Sequence, residues 1–215
     1  MYRVLLLCLW LPSTAMAVVV DSEIWINELH YDNAGADENE FVEVAAPAGF
    51  TDLSNVTLTL YNGNGGQPYG GTTNLDSFSV SETVDGYTFY AHDISLQNGA
   101  PDGLALTHES EVLQFLSYEG QFSATAGPAN TLLSTDIGVE ETPSTPLGLS
   151  LQLAGTGDSY LDFSWQSPAP HTRGTLNQAQ SVVPEPSSLL LGLTLAMVSV
   201  LCWRRWRPNI SRGMK

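Results

Sequence analysis

The densest group of polar side chains lies near the start of the chain: Glu28, His30, Asp32, Asn33, Asp37, Glu38, Asn39, Glu40 and Glu43. Residues 28, 30 and 32 are two apart, so on a strand they share a face. The loop from Asp32 to Glu40 then crowds oxygen donors onto a turn hinged at Gly35. Hard oxygen ligands at that density suit Ca²⁺, with Asp32, Asp37 and Glu40 as candidate ligands and no other cofactor implied. The spacing is not that of an EF-hand loop. The alternatives are an acidic, solvated loop between two strands, with Glu28 and Glu43 bonding neighbouring backbone, and a catalytic metal site.

The remaining chemistry is sparse, and no catalytic residues are assigned. The four histidines (His30, His92, His108 and His171) are scattered. There is no H-E-x-x-H helix, G-x-S-x-G elbow, Walker loop or S-x-x-K motif. His92-Asp93 is half of a triad without a nucleophile. His108 falls at the tip of a predicted hairpin, where it is expected to be solvated. The run Asn62-Gly63-Asn64-Gly65-Gly66-Gln67-Pro68-Tyr69-Gly70-Gly71 has neither a lysine nor a following helix to hold a phosphate. It reads as a long flexible connection, with Tyr61 and Tyr69 as candidates to stack on sugar rings.

The elements that must position these residues are short strands. Partly alternating or β-rich runs occur at Glu23–Leu29, Glu40–Ala45, Val56–Tyr61, Tyr87–His92, Leu104–Thr107, Val112–Tyr118, Leu149–Leu153 and Phe163–Trp165. Turn signals such as Asn62-Gly63, Asp85-Gly86, Asn98-Gly99 and Asp102-Gly103 separate many of them. In Val56–Tyr61 the pattern turns Val56, Leu58 and Leu60 inward and the threonines outward. About eight such strands predict an all-β protein, two antiparallel sheets packed as a sandwich.

Charge bounds the partners. The chain has 215 residues, 23 acids and 7 Lys+Arg, a net charge of -16. Between Val18 and Val183 the only basic residue is Arg173, against 22 acids, so that stretch carries -21. A nucleic-acid binder needs a basic face, so nucleic acid is excluded as a partner. The aromatics (5 Trp, 8 Tyr, 7 Phe) exclude a disordered acidic tail. Cys8 and Cys202 both lie in the apolar end segments, which leaves the body without a disulfide framework or a Cys-ligated zinc site.

Those ends read as targeting segments. Arg3, the apolar run Val4–Leu11 and the small residues Ala15 and Ala17 before Val18 make residues 1–17 a signal peptide for the Sec translocon. Eight apolar residues reach about 12 Å as helix, well short of a bilayer core of about 30 Å. At the other end, Pro184-Glu185-Pro186 precedes an apolar stretch of 17 residues, 187–203, and then Arg204, Arg205 and Arg207. The stretch can span the inner membrane, and the arginines place residues 208–215 as a cytoplasmic tail, with the body outside. Residues 178–182 read as a short tether.

This three-part tail, 183–207, resembles the PEP-CTERM sorting signal of Gram-negative bacteria. The resemblance implies recognition by an exosortase-type processing enzyme near Pro184-Glu185-Pro186. It also implies association with extracellular polysaccharide and biofilm export.

The body resembles a second family. Ile26-Asn27-Glu28-Leu29-His30-Tyr31-Asp32, then Glu40-Phe41-Val42-Glu43-Val44, then Asp52-Leu53-Ser54 before a strand, is similar to the lamin-tail domain, an immunoglobulin-like β-sandwich. Its closing T-P-G-x-x-N turn is matched by Thr172-Arg173-Gly174-Thr175-Leu176-Asn177 after Trp165, with Arg173 in place of the proline. The third-strand Trp position holds Val56. The resemblance implies a domain over 18–177 with an accessory or adhesive role rather than a reaction. The chain is thus expected to be an exported, non-catalytic surface or extracellular-matrix protein: a membrane-anchored precursor first, then at the cell surface or in the matrix. The alternative is an accessory domain or a metal-dependent extracellular hydrolase of phosphodiesterase or nuclease-associated type.

Overall fold

Val56, Leu58 and Leu60 are buried together with Leu104, Leu106 and Leu116, and across from them lie Leu29, Val42, Val44 and Leu151. An apolar layer between two sheets is the arrangement that period-2 alternation dictates, and a second, smaller apolar cluster gathers Tyr61, Ala105, Phe115, Phe122, Ala124 and Ala129. The structure, a computed structural model, describes residues 20–183. The signal-peptide residues Ala15, Ala17 and Val18, the motif Pro184, Glu185 and Pro186, the expected membrane helix 187–203, Arg204, Arg205 and Arg207, and the tail 208–215 lie outside the described residues. Among the described residues no helix is long and apolar enough to cross a membrane.

Twelve strands form two sheets. They are β1 (Trp25–His30), β2 (Phe41–Pro47), β3 (Val56–Asn62), β4 (Gln67–Asn74), β5 (Ser79–Val84) and β6 (Tyr87–Asp93). Then follow β7 (Asp102–His108), β8 (Glu111–Tyr118), β9 (Thr135–Asp136), β10 (Leu149–Gly157), β11 (Phe163–Pro170) and β12 (Gln180–Val182). The first sheet runs β11-β10-β1-β2-β6-β5 with β12 beside β10, and the second β4-β3-β7-β8-β9. All pairings are antiparallel except β10 with β12 and β8 with β9. The eight expected runs are all strands, and the fold is an all-β, two-sheet sandwich.

Four strands were not expected, and two of them change a reading. The Gly-rich run is not a flexible connection: Gln67–Asn74 pairs along β3 with a register shift between Thr59 and Leu60, and its glycines reach positive φ at Gly70 and Gly71. Residues 178–182 are not a free tether. Gln180–Val182 pairs in parallel with Gly155–Gly157, and Val182 is buried in the core. It takes the side of β10 that β1 leaves after its pairs at Glu28 and Leu29. Three residues too polar and too short to show a period can still complete a sheet when the edge is ready.

The strand directions give the sandwich two unlike ends. The Tyr160 N–H donates to Ser22 O (3.1 Å) and the Val183 N–H to Gly157 O (2.9 Å), so both ends of the described chain leave beside the turn 157–160. β1, β6 and β11 run from this end to the other, where the loops 31–40, 94–101 and 137–148 and the turn 171–174 gather.

That last turn is held by a glycine. Gly174 has φ +86°, and a Cβ there would lie 2.4 Å from Ser81 Oγ and 2.5 Å from Ser81 Cβ. Gly138 has φ +74° with open space around it. Gly174→Ala is therefore expected to cost about 2 kcal/mol or more, against about 1 kcal/mol for Gly138→Ala. In thermal melts the former should lower the midpoint by about 4–8 °C and the latter by about half as much; equal losses would contradict the close approach.

Candidate functional site

Most of the polar residues in the first two strands face the outer side of the first sheet, where the 172–177 turn covers them. A register shift between Ile26 and Glu28 lets Asn27 and Glu28 both engage that side. The Asn27 Nδ2–H donates to Glu43 Oε1 (2.9 Å), and Asn27 Oδ1 accepts from Trp25 Nε1 (3.0 Å) and Gln180 Nε2 (2.8 Å). Glu28 and Glu43 are cross-strand partners and neither is exposed to solvent. Glu28 Oε1 accepts from Ser150 Oγ (2.5 Å) and the Thr172 N–H (2.9 Å), and Glu43 Oε2 accepts from the Gly174 N–H. These are bonds to the far end of the chain, not to neighbouring backbone.

Thr172 Oγ1 lies 3.0 Å from Glu28 Oε2 and 2.8 Å from Asn177 Oδ1. The Asn177 amide N–H groups are committed to Asn27 O (3.1 Å) and Leu153 O (3.0 Å), which fixes its Oδ1 as an acceptor. The single Thr172 hydroxyl proton is shared between Asn177 Oδ1 and Glu28 Oε2. Burial pushes both carboxyls up, Glu43 well above the ordinary range, with the neighbouring Glu28 charge adding to the effect of burial there. Arg173, the one basic residue of the body, closes the turn by stacking 5.1 Å over the Phe41 ring and pairing with Asp93.

His30 does not meet Asp32 on a shared strand face, because β1 ends at His30. His30 Nδ1 is 2.8 Å from Glu141 Oε1, both side chains buried. Glu141 Oε2 accepts the N–H groups of Tyr31 (2.6 Å) and Asp32 (3.1 Å). His30 Nε2 faces two acceptors, Asn33 Oδ1 and Glu38 O, each at 3.2 Å, so it holds its own proton and is not placed to take one. Burial alone would lower the His30 pKa, but the Glu141 hydrogen bond and charge raise it overall. Glu141 escapes sequence reading because Gly138–Pro146 shows neither period nor motif.

The expected Ca²⁺ ligands are not brought together as a ligand set. Asp32 is buried and shares a hydrogen bond with Asp37; burial, then the Asp37 charge and that bond, raises its pKa. Asp37 Oδ2 also accepts from Asn98 Nδ2 (3.1 Å). Glu40 turns to the Ser95 side chain and the Leu96 backbone N–H. Among the described residues no three His, Cys, Asp or Glu side chains gather to hold a metal ion. Other expectations also change. His108 is not simply solvated: its Nε2 lies 2.9 Å from Asp52 Oδ2, and its ring meets Phe50 edge-on. Tyr61 is fully buried and donates to Ala126 O, and Tyr69 OH accepts the Gln97 N–H (2.9 Å), so neither is free to stack on a sugar. His92 stacks on Phe78 (4.8 Å) and joins no triad.

Three clefts lie at the end of the sandwich away from residues 22, 157 and 183. One, about 310 Å³, is lined by His30, Phe41, His171 and Arg173. Another, about 570 Å³, lies between the turn after β3 and the segment before β7. A third, about 770 Å³, is a wide acidic hollow with Glu119, Asp136 and Glu140. Comparison of the chain with protein-family models, with curated proteins and with solved structures finds no match.

Two expectations follow from this geometry. Glu28, Asp32, Glu40, Glu43, Asp102 and Glu119 are all raised, chiefly by burial, and His30 is raised by Glu141. Only the exposed Asp52 and Asp162 are lowered. A raised group stabilises the fold below its unfolded pKa, about 4 for a carboxyl, and the stabilisation is lost as pH rises through the folded value. The melting midpoint should therefore be several degrees higher at pH 5 than at pH 8. Glu28→Gln, whose amide can donate to Thr172 Oγ1, should fold and flatten this dependence, whereas Glu28→Ala should cost about 2–4 kcal/mol by denaturant titration. Second, with Glu40 engaged elsewhere, millimolar Ca²⁺ should leave the midpoint unchanged; a clear rise would restore the calcium reading.

Proposed function

We propose that the chain is an exported, non-catalytic surface or extracellular-matrix protein whose β-sandwich serves in binding or structure. In this reading the Sec translocon exports it and the segment 187–203 holds it in the inner membrane. An exosortase-type enzyme then sorts it through the PEP-CTERM-like tail. The observation that carries the proposal is the polarity of the chain: apolar segments flanked by arginines at both ends, and between them a body with no cysteine and a net charge of -21.

The architecture supports this reading in two ways. Three of the four stretches that resemble the lamin-tail family meet at one place: Glu28 and Glu43 receive the N–H groups of Thr172 and Gly174, and Asn177 caps the β1 backbone. A shared motif that closes the fold favours an immunoglobulin-like module of that type. The chain also leaves the sandwich at the end opposite the clefts, so a membrane attachment after Val183 turns those clefts outward, toward a matrix polymer such as exopolysaccharide.

Topology reporters test the proposal. Alkaline phosphatase fused after Val183 should be active and the same enzyme fused after Lys215 inactive, with a fluorescent protein giving the opposite pattern. A cytoplasmic signal from the Val183 fusion would overturn the export reading.

A further inference from the structure

All three Asn-Gly steps of the chain, 62–63, 64–65 and 98–99, border the cleft between the turn after β3 and the segment before β7. Such steps carry a chemistry of their own. The glycine nitrogen bonds to the asparagine side-chain carbonyl carbon, its proton goes to the side-chain nitrogen, and ammonia leaves as that carbon–nitrogen bond breaks. Water then opens the five-membered imide to aspartate or isoaspartate. Nothing is oxidised or reduced, and water is the only co-reactant. What the reaction requires is a glycine N–H free of other bonds and a backbone that can turn it onto the side chain.

The fold holds two of these steps and leaves the third loose. Asp102, buried at the cleft, accepts the Gly63 N–H at Oδ1 (3.0 Å) and the Gly99 N–H at Oδ2 (2.9 Å). One carboxyl group thus binds both nitrogens that would attack. The two asparagine side chains are engaged as well: Asn62 Nδ2 donates to Gln97 Oε1 (2.6 Å) and Asn98 Nδ2 to Asp37 Oδ2 (3.1 Å). The backbone at Gly63 is packed so tightly that a Cβ there would lie 2.0 Å from Pro101 O. Asn64 and Gly65, by contrast, are exposed, and among the described residues neither the Asn64 side chain nor the Gly65 N–H makes a hydrogen bond. A Cβ on Gly65 would meet nothing within 4 Å, so this backbone is unobstructed.

We infer that Asn64 is a site of spontaneous deamidation and that Asp102 protects Asn62 and Asn98 from the same change. Accessibility alone predicts otherwise, because Asn98 and Gly99 are exposed just as Asn64 and Gly65 are. The hydrogen bond separates the two sites. Ring closure at 98–99 must first break the bond between Gly99 and the Asp102 carboxyl, so it proceeds only from a locally opened state. The same holds at 62–63, where the close approach to Pro101 must also be relieved. Deamidation at Asn64 puts one more carboxylate on a body of net charge -21, and ammonia loss makes it irreversible, so its extent records the age of each copy. The inference goes beyond the proposed export and does not depend on it.

The test incubates the full-length chain, purified in detergent micelles, at mildly alkaline pH in buffer and in concentrated urea. Digestion with pepsin at low pH stops the reaction, and peptide mass spectrometry scores aspartate and isoaspartate at each position. In urea the three asparagines should convert at similar rates. In buffer Asn64 should stay close to its urea rate, whereas Asn62 and Asn98 should slow about tenfold or more. Asp102→Ala, checked for a cooperative melt, should release Asn62 and Asn98 and leave Asn64 unchanged. Should that variant not fold, amide hydrogen exchange of the wild type decides: the Gly63 and Gly99 N–H groups should exchange slowly and that of Gly65 fast. The inference is overturned if Asn62 or Asn98 converts as fast as Asn64 in buffer, or if Asn64 is as slow as they are. It is equally overturned if folded Asp102→Ala keeps Asn62 and Asn98 protected, or if the Gly99 N–H exchanges as fast as that of Gly65.

Discussion

Two carboxyl groups, Glu28 and Glu43, sit side by side on a sheet face from which water is excluded. Such a pair is tolerable only if every oxygen finds a donor and if the two groups do not both ionise. Asn27 and Ser150 supply part of the donors, and the backbone N–H groups of residues 172 and 174, more than 130 positions away in the chain, supply the rest. Closure of the sandwich thus depends on the last turn reaching back over the first hairpin, and that turn works only with a residue of positive φ at Gly174 and a cation on Phe41 at Arg173. The end of the chain is thereby fixed by the same group that would otherwise be the costliest to bury.

The inward face of Val56-Thr57-Leu58-Thr59-Leu60 was legible from its alternation, and its apolar members are core residues, but the other face is not wet throughout: Thr59 is buried beside a second apolar cluster that includes Tyr61 and Phe115. What escaped was structure that leaves no period. β12 is three residues long and β9 two, so neither could show a hydrophobic alternation. β4 carries two glycines and a proline and follows the usual grammar of a loop, yet an edge position with one bulge accepts it. The polar cluster at residues 28–43 was legible as a place where something happens, but its partners were not. Glu141 and Thr172 lie in unpatterned stretches, and only the three-dimensional path shows that the carboxyls serve closure rather than a cation.

The same view accounts for the odd charge balance. A body with 22 acids and one arginine has few cations to set against its buried carboxyls, and His30 is the partner of only one of them, Glu141, among the described residues. The body uses backbone N–H groups, hydroxyls, amides and retained protons instead. Ion pairs inside a protein carry a desolvation cost that hydrogen-bonded, protonated acids largely avoid. The exposed acids then remain as a repulsive surface, which keeps such proteins apart and soluble, while the -21 body loses little by being folded at mildly acidic pH.

Position settles which polar groups are left over for a ligand. Groups near residues 157–160 crowd the exit of the chain, and those on the outer face of the first sheet are consumed by the 172–177 turn. His30 has both ring nitrogens engaged and Arg173 is spent on Phe41 and Asp93. Asn62 and Gln97 pair with each other, with a tyrosine bonded to each side of the Gln97 backbone and the buried Asp102 below. Among the described residues Asn62 Oδ1, Gln114 Nε2, Ser117 Oγ and Gln180 Oε1 are buried without a protein partner, so unused valence inside this fold is spread over both sheets and does not by itself mark a surface for a partner.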